Sequence, residues 1–515
     1  MMFVSTAAAQ GKKIIYVPID GRPCNLYQVA QVAEKLGYEL LTPPEEFIGT
    51  RTNMGDVDGM WKWLNETAPQ ADAAVLSTDA LIYGSLVGSR MHTLDAQEIL
   101  SRAQRFKTFN ENFPYLPIYV FGTIMRTPRT GSHASAEPEY YYKYGAKIFQ
   151  YTALIDKQEM GLLTGGDKRK IKRFESDIPK EYLDDWFTRR AKNFDANSYF
   201  VELTRAGAFD YFLLGCDDSA EFSQTHRESR KLTELSSDMG KTVVQVTGGA
   251  DELGMLMVSR AINRDRDNRP FVSVVYNAGT GAKTFPSYSN EPIGVSVDAA
   301  IIAIGGLRVS SHERADLVLA VNTRENGKTF EASNGKRNKI KPRGDTKTFM
   351  AVVDDLIAKN YPVAIADISF SNGADNALMN QLKVNDLQYK IRAYGGWNTA
   401  TNSSGFLIGA GVLTKFMSDK DVAELLTTRY LDDWIYQANV RQEIVGASYG
   451  MPGDGVPMNL NEKLPACEKL LNERMKEFTA KNLLLPSRWR LEDLKVTLPW
   501  QRTFECDPRF KFVGS

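Results

Sequence analysis

Two adjacent carboxylates, Asp217 and Asp218, are the residues of this sequence best suited to acid–base chemistry. They end an apolar run that predicts a buried strand over residues 210–218. Two carboxyl groups held close together repel, so one tends to stay protonated and acts as a general acid, while its charged partner orients a nucleophile or stabilises positive charge. The alternative is that both cap a following helix, where carboxylates suit the positive end of the helix dipole.

Other polar and aromatic side chains also follow predicted strands, and we predict that they bind the substrate. They are Asp20, Arg22, Asn25, Asp79, Tyr83, Arg126, Asp251, Glu252, Asp367, Asn372, Trp397 and Asn398. Aromatic faces beside carboxylates and amides suit sugar rings, whose apolar C–H faces alternate with hydroxyls. The two arginines either pair with a carboxylate or hold an anionic or hydroxyl-rich ligand. Taken singly, an Asp or Asn after a strand is also a common helix cap or turn former, and the alternative for the tryptophan is a buried place in the core.

No cofactor or metal is predicted. The glycine-rich fingerprint of dinucleotide sites is missing after the first strand, and the run from Asn277 to Thr284 fails as a phosphate-binding loop. The four histidines are isolated, which argues against a histidine-rich zinc site. A divalent ion bound by carboxylates stays open, with five aspartates as the candidate ligands: Asp20, Asp79, Asp217, Asp218 and Asp367.

Eight apolar strands alternate with amphipathic helices, a pattern typical of a parallel sheet covered on both faces. The strands are predicted at 12–20, 38–44, 71–79, 116–126, 210–218, 241–248, 362–370 and 387–395. We predict an α/β fold of the (β/α)8 barrel type, in which the carboxyl ends of the strands converge on one rim. Several doubly wound α/β domains are the alternative, and these also place ligands beyond the carboxyl ends of their strands.

The predicted division of the chain follows from this pattern. Residues 12–269 hold the first six β/α units, and 346–405 hold the last two. Between them, 270–345 is predicted to be a small inserted α/β domain, with strand candidates at 271–277, 299–304 and 316–322. Residues 406–515 form a helical C-terminal region, in which 421–445 is the clearest helix, and 135–209 is a helical stretch within the first segment.

Composition limits the possible partners. The 515 residues include 63 Lys and Arg and 63 Asp and Glu, so the net charge is zero and we expect no nucleic-acid partner. No apolar run is long enough to span a membrane. Residues 1–11 resemble the end of an export signal, which predicts a periplasmic or extracellular protein. Pairing of Cys467 with Cys506 and the oligomeric state stay open.

Six strings together resemble a bacterial family that is catalogued only as a domain of unknown function. They are VPIDGRPCN (17–25), STDALIYGSLVGSR (77–90), LGCDDSAEF (214–222), GGADELG (248–254), IADISFSNGADN (365–376) and YGGWNTATNSSG (394–405). The resemblance runs from about residue 12 to about residue 445 and implies no activity. More weakly, the unit 211–218 is similar to the acid pair of substrate-assisted β-N-acetylglucosaminidases built on (β/α)8 barrels. That similarity implies that Asp217 orients the acetamido group and that Asp218 is the general acid.

The sequence therefore leads to a hypothesis and two alternatives. The hypothesis is a glycoside hydrolase that acts on an amino-sugar glycan by a two-carboxylate mechanism. The first alternative is a metal-assisted hydrolase that uses the aspartates as ligands. The second is a carbohydrate-binding protein that uses the same residues without catalysis.

Overall fold

The computed structural model of the protein describes residues 11–131 and 136–514. Two parallel β-sheets, of six and five strands, form the framework of this part of the chain. The first sheet has the spatial order β2-β1-β3-β4-β5-β6, and every pairing in it is parallel. Its strands are β1 (Lys12–Val17), β2 (Tyr38–Leu41), β3 (Ala73–Ser77), β4 (Ile118–Ile124), β5 (Tyr211–Cys216) and β6 (Val244–Gly248). All six lie where the sequence predicts strands.

The second sheet has the order β13-β11-β9-β7-β8 and is also parallel. Two small elements accompany it, a parallel pair of β10 with β12 and an antiparallel hairpin of β14 with β15. The remaining strands are β7 (Phe271–Tyr276), β8 (Leu307–Arg308), β9 (Leu317–Asn322), β10 (Phe330–Glu331), β11 (Val363–Asp367), β12 (Phe370–Ser371), β13 (Ala393–Gly395), β14 (Trp489–Thr497) and β15 (Asp507–Gly514).

This topology confirms the α/β class with parallel sheets, but it does not show the closed eight-stranded barrel. The eight predicted barrel strands are divided between the two sheets, and no strand pairing among the described residues joins the sheets into one ring. The second sheet takes its strands from both sides of residue 345. Leu319 of β9 lies opposite Ala364 of β11, so the sheet crosses the boundary predicted at residue 345. Buried parallel strands have similar apolar sequences, and an apolar run does not indicate which strand it pairs with.

Seventeen α-helices connect and cover the sheets in the described part of the chain. They are α1 (Tyr27–Glu34), α2 (Val57–Thr67), α3 (Thr78–Tyr83), α4 (Leu86–Met91), α5 (Ala96–Asn112), α6 (Tyr140–Glu159), α7 (Gly165–Asp177), α8 (Lys180–Arg205), α9 (Gln224–Leu235), α10 (Leu253–Asp265), α11 (Ile293–Ala303), α12 (Gly344–Ala358), α13 (Asn376–Val384), α14 (Ala400–Gly411), α15 (Asp419–Arg429), α16 (Arg441–Gly450) and α17 (Leu464–Asn482). Helices α6, α7 and α8 fill the stretch predicted as helical.

Two strand predictions need correction. Residues 299–304 lie mostly in helix α11, and of the predicted strand 387–395 only Ala393–Gly395 is extended in a sheet. The first of these segments is apolar on every side, and a short apolar run does not distinguish a strand from a buried helix.

The helical C-terminal region is confirmed. Around the predicted helix 421–445, α15 and α16 are joined by a π-helix, Tyr430–Val440, so the helical run extends from 419 to 450. The hairpin of β14 and β15 follows α17 and brings residues 499–506, between its strands, back to the site described below.

A close crossing of helices α10 and α14 holds the two sheets together, because α10 follows β6 of the first sheet and α14 follows β13 of the second. Gly405 and Gly409 are four residues apart and therefore share one face of α14. A Cβ atom at Gly405 would lie 2.5 Å from Cγ of Glu252, and one at Gly409 would lie 3.1 Å from Cγ of Met255. Only glycine permits this approach. Because α10 begins just after residues 251–252 and α14 just after 397–398, the crossing also sets the distance between two groups of predicted site residues.

Three further predictions concern the ends and the cysteines. The export prediction for residues 1–11 falls, apart from Gly11, outside the described residues. Within the described ranges, no helix has both the length and the apolar character needed to cross a membrane. Cys467 and Cys506 are both free and buried; the Sγ of Cys467 lies by Met451, and that of Cys506 by Asp432.

Candidate functional site

A cavity of about 350 Å³ lies beside the carboxyl ends of strands from both sheets. Its wall includes residues that follow β1, β4, β5 and β6 of the first sheet, together with residues after β12 and β13 and between β14 and β15. Ligands of parallel α/β sheets bind beyond the carboxyl ends of the strands. Eight predicted site residues line this wall: Asp20, Arg22, Arg126, Asp217, Asp218, Asp251, Asn372 and Asn398.

Arg22 is the centre of a buried network on one side of the cavity. Its Nε lies 3.0 Å from Oδ2 of Asp20, and its Nη2 lies 2.5 Å from Oδ1 of Asp251. Asn25, just behind the wall, donates to Asp20 at 2.9 Å, and Asn398 donates to Asp251 at 2.9 Å. Burial by itself would raise the pKa of Asp251. The charge of Arg22 and the hydrogen bonds from Arg22, Asn25 and Asn398 outweigh burial, so the pKa of Asp251 is lowered. The network therefore presents fixed, charged groups to the cavity.

Asp217 is held by an arginine that comes from α4. The Nε and Nη2 atoms of Arg90 lie 2.9 and 2.5 Å from Oδ2 of Asp217, and both side chains are 7% exposed. Two nitrogens of one guanidinium donate to the same oxygen, an arrangement that is strongly directional. The side chain of Asp217 therefore lines the cavity in a set orientation.

Asp218 differs from its neighbour in backbone, exposure and charge. Its φ of 28° lies in the left-handed region, which non-glycine residues adopt rarely and often at functional sites. Its side chain is 34% exposed, and its closest described cation is Arg126, whose Nη1 lies 3.3 Å from Oδ2. Enclosure in the wall and then the charge of Asp217 raise the pKa of Asp218 to about 6, despite Arg126. Asp218 is thus a carboxyl group that reaches the cavity and whose pKa lies above the usual range of an aspartate.

Two predicted residues lie outside the wall, near the first sheet. Asp79 is buried, and its two oxygens accept from the backbone N–H and the hydroxyl of Thr123, each at 2.8 Å. Burial raises its pKa to about 6. The ring of Tyr83 stacks on His92, with 4.8 Å between the ring centroids. Both residues belong to α3, which begins directly after β3 and turns them into the core rather than toward the cavity.

Three more predicted residues lie off the cavity wall. Glu252 is buried, its Oε2 has no hydrogen-bond partner among the described residues, and burial raises its pKa to about 8. Asp367 is buried and accepts from the hydroxyl of Tyr394 at 2.8 Å; burial, followed by the charge of Asp375, raises its pKa to about 7. The buried ring of Trp397 packs against Phe504. These three residues support the site without lining it.

The match to known families follows the same stretch of chain. A family model described as "Protein of unknown function (DUF4127)" matches residues 14–508. The chain belongs to this family. The match confirms the resemblance to a family of unknown function and includes every wall residue of the cavity from Asp20 to Phe504. A search of curated proteins finds no match. The comparisons do not support the similarity to β-N-acetylglucosaminidases. That similarity therefore gives no support to the roles it implies for Asp217 and Asp218.

The sequence reasoning missed several wall residues of this DUF4127 protein. They are Arg90, Tyr288, Glu331, Asn402, Arg441, Trp500, Arg502 and Phe504. Arg90 ends one of the six family strings, which was a usable signal. Trp500, Arg502 and Phe504 follow no parallel strand, so a search of strand ends could not find them. Tyr288 and Glu331 lie in the segment that was predicted to be a separate domain.

Three of the five aspartates proposed as metal ligands, Asp20, Asp217 and Asp218, line the cavity, whereas Asp79 and Asp367 lie off its wall. Each of the three on the wall pairs with an arginine. No group of three or more His, Cys, Asp or Glu side chains with metal-site geometry occurs in residues 11–131 and 136–514. The donors on the wall are arranged for arginine pairing and hydrogen bonding.

Proposed function

We propose that the protein hydrolyses a glycosidic bond of an amino-sugar glycan, with Asp218 as the general acid and Asp217 as its charged partner. The observation that carries the proposal is the contrast between these neighbours. Asp217 is clamped by Arg90, whereas Asp218 reaches the cavity with a pKa of about 6. Two carboxyl groups whose environments separate their protonation states are the usual basis of acid and base assignments.

The proposed reaction needs few other groups. The proton of Asp218 passes to the glycosidic oxygen as its bond to the anomeric carbon breaks, and the carboxylate of Asp217 stabilises the positive charge that develops on the sugar. Water then adds its hydroxyl to the anomeric carbon, and its remaining proton restores Asp218. The products are two sugars, and both carboxyl groups return to their starting states.

The rest of the wall suits a sugar. Trp500 adds an aromatic ring to the wall, with the guanidinium carbons of Arg22 and Arg502 5.4 and 4.9 Å from its ring centroid, and Asn372 and Asn398 add amides. The cavity volume of about 350 Å³ is at the lower end of the range of about 300–1,000 Å³ found for small-ligand sites. We therefore expect one or two rings of the substrate to be enclosed.

The test is an assay of the wild-type protein and the variants D218N and D217N against a panel of aryl glycosides that includes N-acetylated amino sugars. Loss of the general acid is expected to lower turnover by about 10²–10⁴-fold. Glu221→Gln is the matched control, because it removes a carboxylate three residues away that is exposed. Turnover that D218N retains in full removes Asp218 from the mechanism. Sugar binding without turnover in the wild type, with only affinity changed in D218N, would replace the hydrolase by a carbohydrate-binding protein.

A further inference from the structure

One arginine on the cavity wall forms no ion pair with the described residues. Five arginines line the cavity, and four of them have a carboxylate oxygen within 4.0 Å. These four are Arg22, Arg90, Arg126 and Arg502. Arg441 has no such partner among the described residues. Its described contacts are a hydrogen bond of 3.2 Å from Nη1 to Gln437 and the ring of Phe504, whose centroid lies 4.5 Å from its guanidinium carbon.

The guanidinium of Arg441 is both enclosed and unsatisfied. Its Nε is buried and has no hydrogen-bond partner in the described part of the chain. Burial lowers its pKa, although Tyr436, Glu505 and Glu331 act in the opposite direction. A buried N–H donor without an acceptor is costly, more so in a charged group. A ligand that supplied an oxyanion here would relieve that cost.

Two charged neighbours of Arg441, Arg502 and Glu331, are already engaged by other side chains. Arg502 is neutralised by Glu505, at 2.6 Å from its Nε. Arg51, behind the wall, also has a buried Nε without a described partner, and after burial the charge of Arg502 lowers its pKa. Glu331 is close enough to interact with Arg441, but its two oxygens accept from the hydroxyl of Tyr288 and the amide of Asn372.

The remaining wall limits the kind of anion. Five carboxylate residues line the same cavity, namely Asp20, Asp217, Asp218, Asp251 and Glu331. Repulsion from each of them is about twice as large for a dianion such as a phosphate monoester as for a single negative charge. A guanidinium holds a carboxylate by two parallel hydrogen bonds, and it can hold a phosphate in the same way. Repulsion by the wall is therefore what favours a singly charged carboxylate at Arg441.

We propose that Arg441 forms a subsite for a carboxylate group carried by the sugar that occupies the cavity. The inference rests on the proposed function for the sugar and adds that the glycan is acidic. Two sources share this chemistry: a uronic acid, in which the carboxylate is on the ring, and an amino sugar that carries a carboxyalkyl ether. The ligand carboxylate would bind Arg441, while the glycosidic bond would face Asp218.

The experiment measures binding, so that it does not depend on turnover. Calorimetry with the D218N protein compares two pairs of ligands, glucuronate with glucose and N-acetylmuramate with N-acetylglucosamine. Within each pair the members differ mainly by a carboxylate. We expect at least one acidic sugar to bind about tenfold more tightly than its neutral mate, as charge-assisted hydrogen bonds require. The pair that shows the preference identifies the source of the carboxylate.

Variants of Arg441 then locate the preference. In D218N/R441Q we expect it to disappear while neutral-sugar affinity stays within about twofold, and in D218N/R441K we expect part of it to remain. Arg105→Gln, which removes a remote exposed arginine, is the matched control and should leave the preference unchanged. If D218N/R441Q does not fold, glucuronamide takes its place as a ligand that keeps the shape of glucuronate and loses the charge; it should bind like glucose.

Several outcomes would overturn the subsite. They are equal affinity within both ligand pairs, a preference that survives R441Q, and no binding of any of the four sugars at millimolar concentration. The failure of the hydrolase proposal is a separate result: acidic sugars that bind through Arg441 without turnover by the wild type would leave the subsite standing. Conversely, turnover of neutral glycosides without an acidic preference would remove the subsite alone.

Discussion

Replacing Arg90 by glutamine should destabilise the protein strongly, because Asp217 would keep a buried charge without its cation. The two side chains are each 7% exposed, and two nitrogens of Arg90 lie 2.9 and 2.5 Å from one oxygen of Asp217. Removing one member of a buried ion pair costs about 3–5 kcal/mol. Asp218 adds to this cost, because its charge repels that of Asp217.

The assay is a double-mutant cycle on the free energy of unfolding, measured by denaturant titration of the wild type, R90Q, D217N and R90Q/D217N. The double variant should cost less than the sum of the single variants by about 2–3 kcal/mol, because it leaves neither charge alone. Arg105→Gln serves as the control. Its partner Asp58 is at 2.6 Å, but the side chains are 37% and 78% exposed, so its loss should cost no more than about 1 kcal/mol.

The reasoning would be refuted by additive single variants. If R90Q and D217N each cost no more than R105Q, and their effects sum in the double variant, the pair does not hold a buried charge. The orientation of Asp217 on the cavity wall would then need another explanation.

Three further predictions follow from the same contacts. If Asp218 is the general acid, turnover should fall about tenfold per pH unit above pH 6, where the group loses its proton; a profile that is flat from pH 5 to 8 would contradict this. Glu252 has a pKa of about 8 in the folded protein, above its unfolded value, so the stability it contributes is present at low pH and is lost as pH rises to 8. In denaturant titrations, the free energy of unfolding of E252Q should therefore rise relative to that of the wild type by about 1.4 kcal/mol per pH unit between pH 5 and 8. A difference in free energy that does not change with pH would exclude the raised pKa. Gly405→Ala should cost about 1–3 kcal/mol by overpacking the α10–α14 crossing, whereas Gly446→Ala, whose Cβ meets nothing within 4 Å among the described residues, should stabilise α16 by up to about 1 kcal/mol; equal melting temperatures would show that the crossing is loose.

The sequence by itself located the six strands of the first sheet and the polar residues that follow them. Strands such as β5 carry a continuous apolar run, which suits a sheet buried on both faces. Asp217 and Asp218 were accessible for the same reason, because a strand end and two adjacent acids are local features. The division into sheets was not accessible, since β9 and β11 join through residues whose side chains would serve equally well in another pairing.

Only the tertiary structure decided which of the polar residues share a cavity. Asp251 meets Arg22 across 229 positions of sequence, whereas Asp79 and Asp367, at equally promising strand ends, turn into the core. The unpaired Arg441 and the aromatic face of Trp500 come from the C-terminal region, where no strand-end rule applies. Local sequence patterns indicate which residues of a segment are buried. The charged partners of a side chain depend instead on how segments that are distant in sequence pack together. For that reason, the fold sets the pKa values and the ion pairs of the residues on the cavity wall.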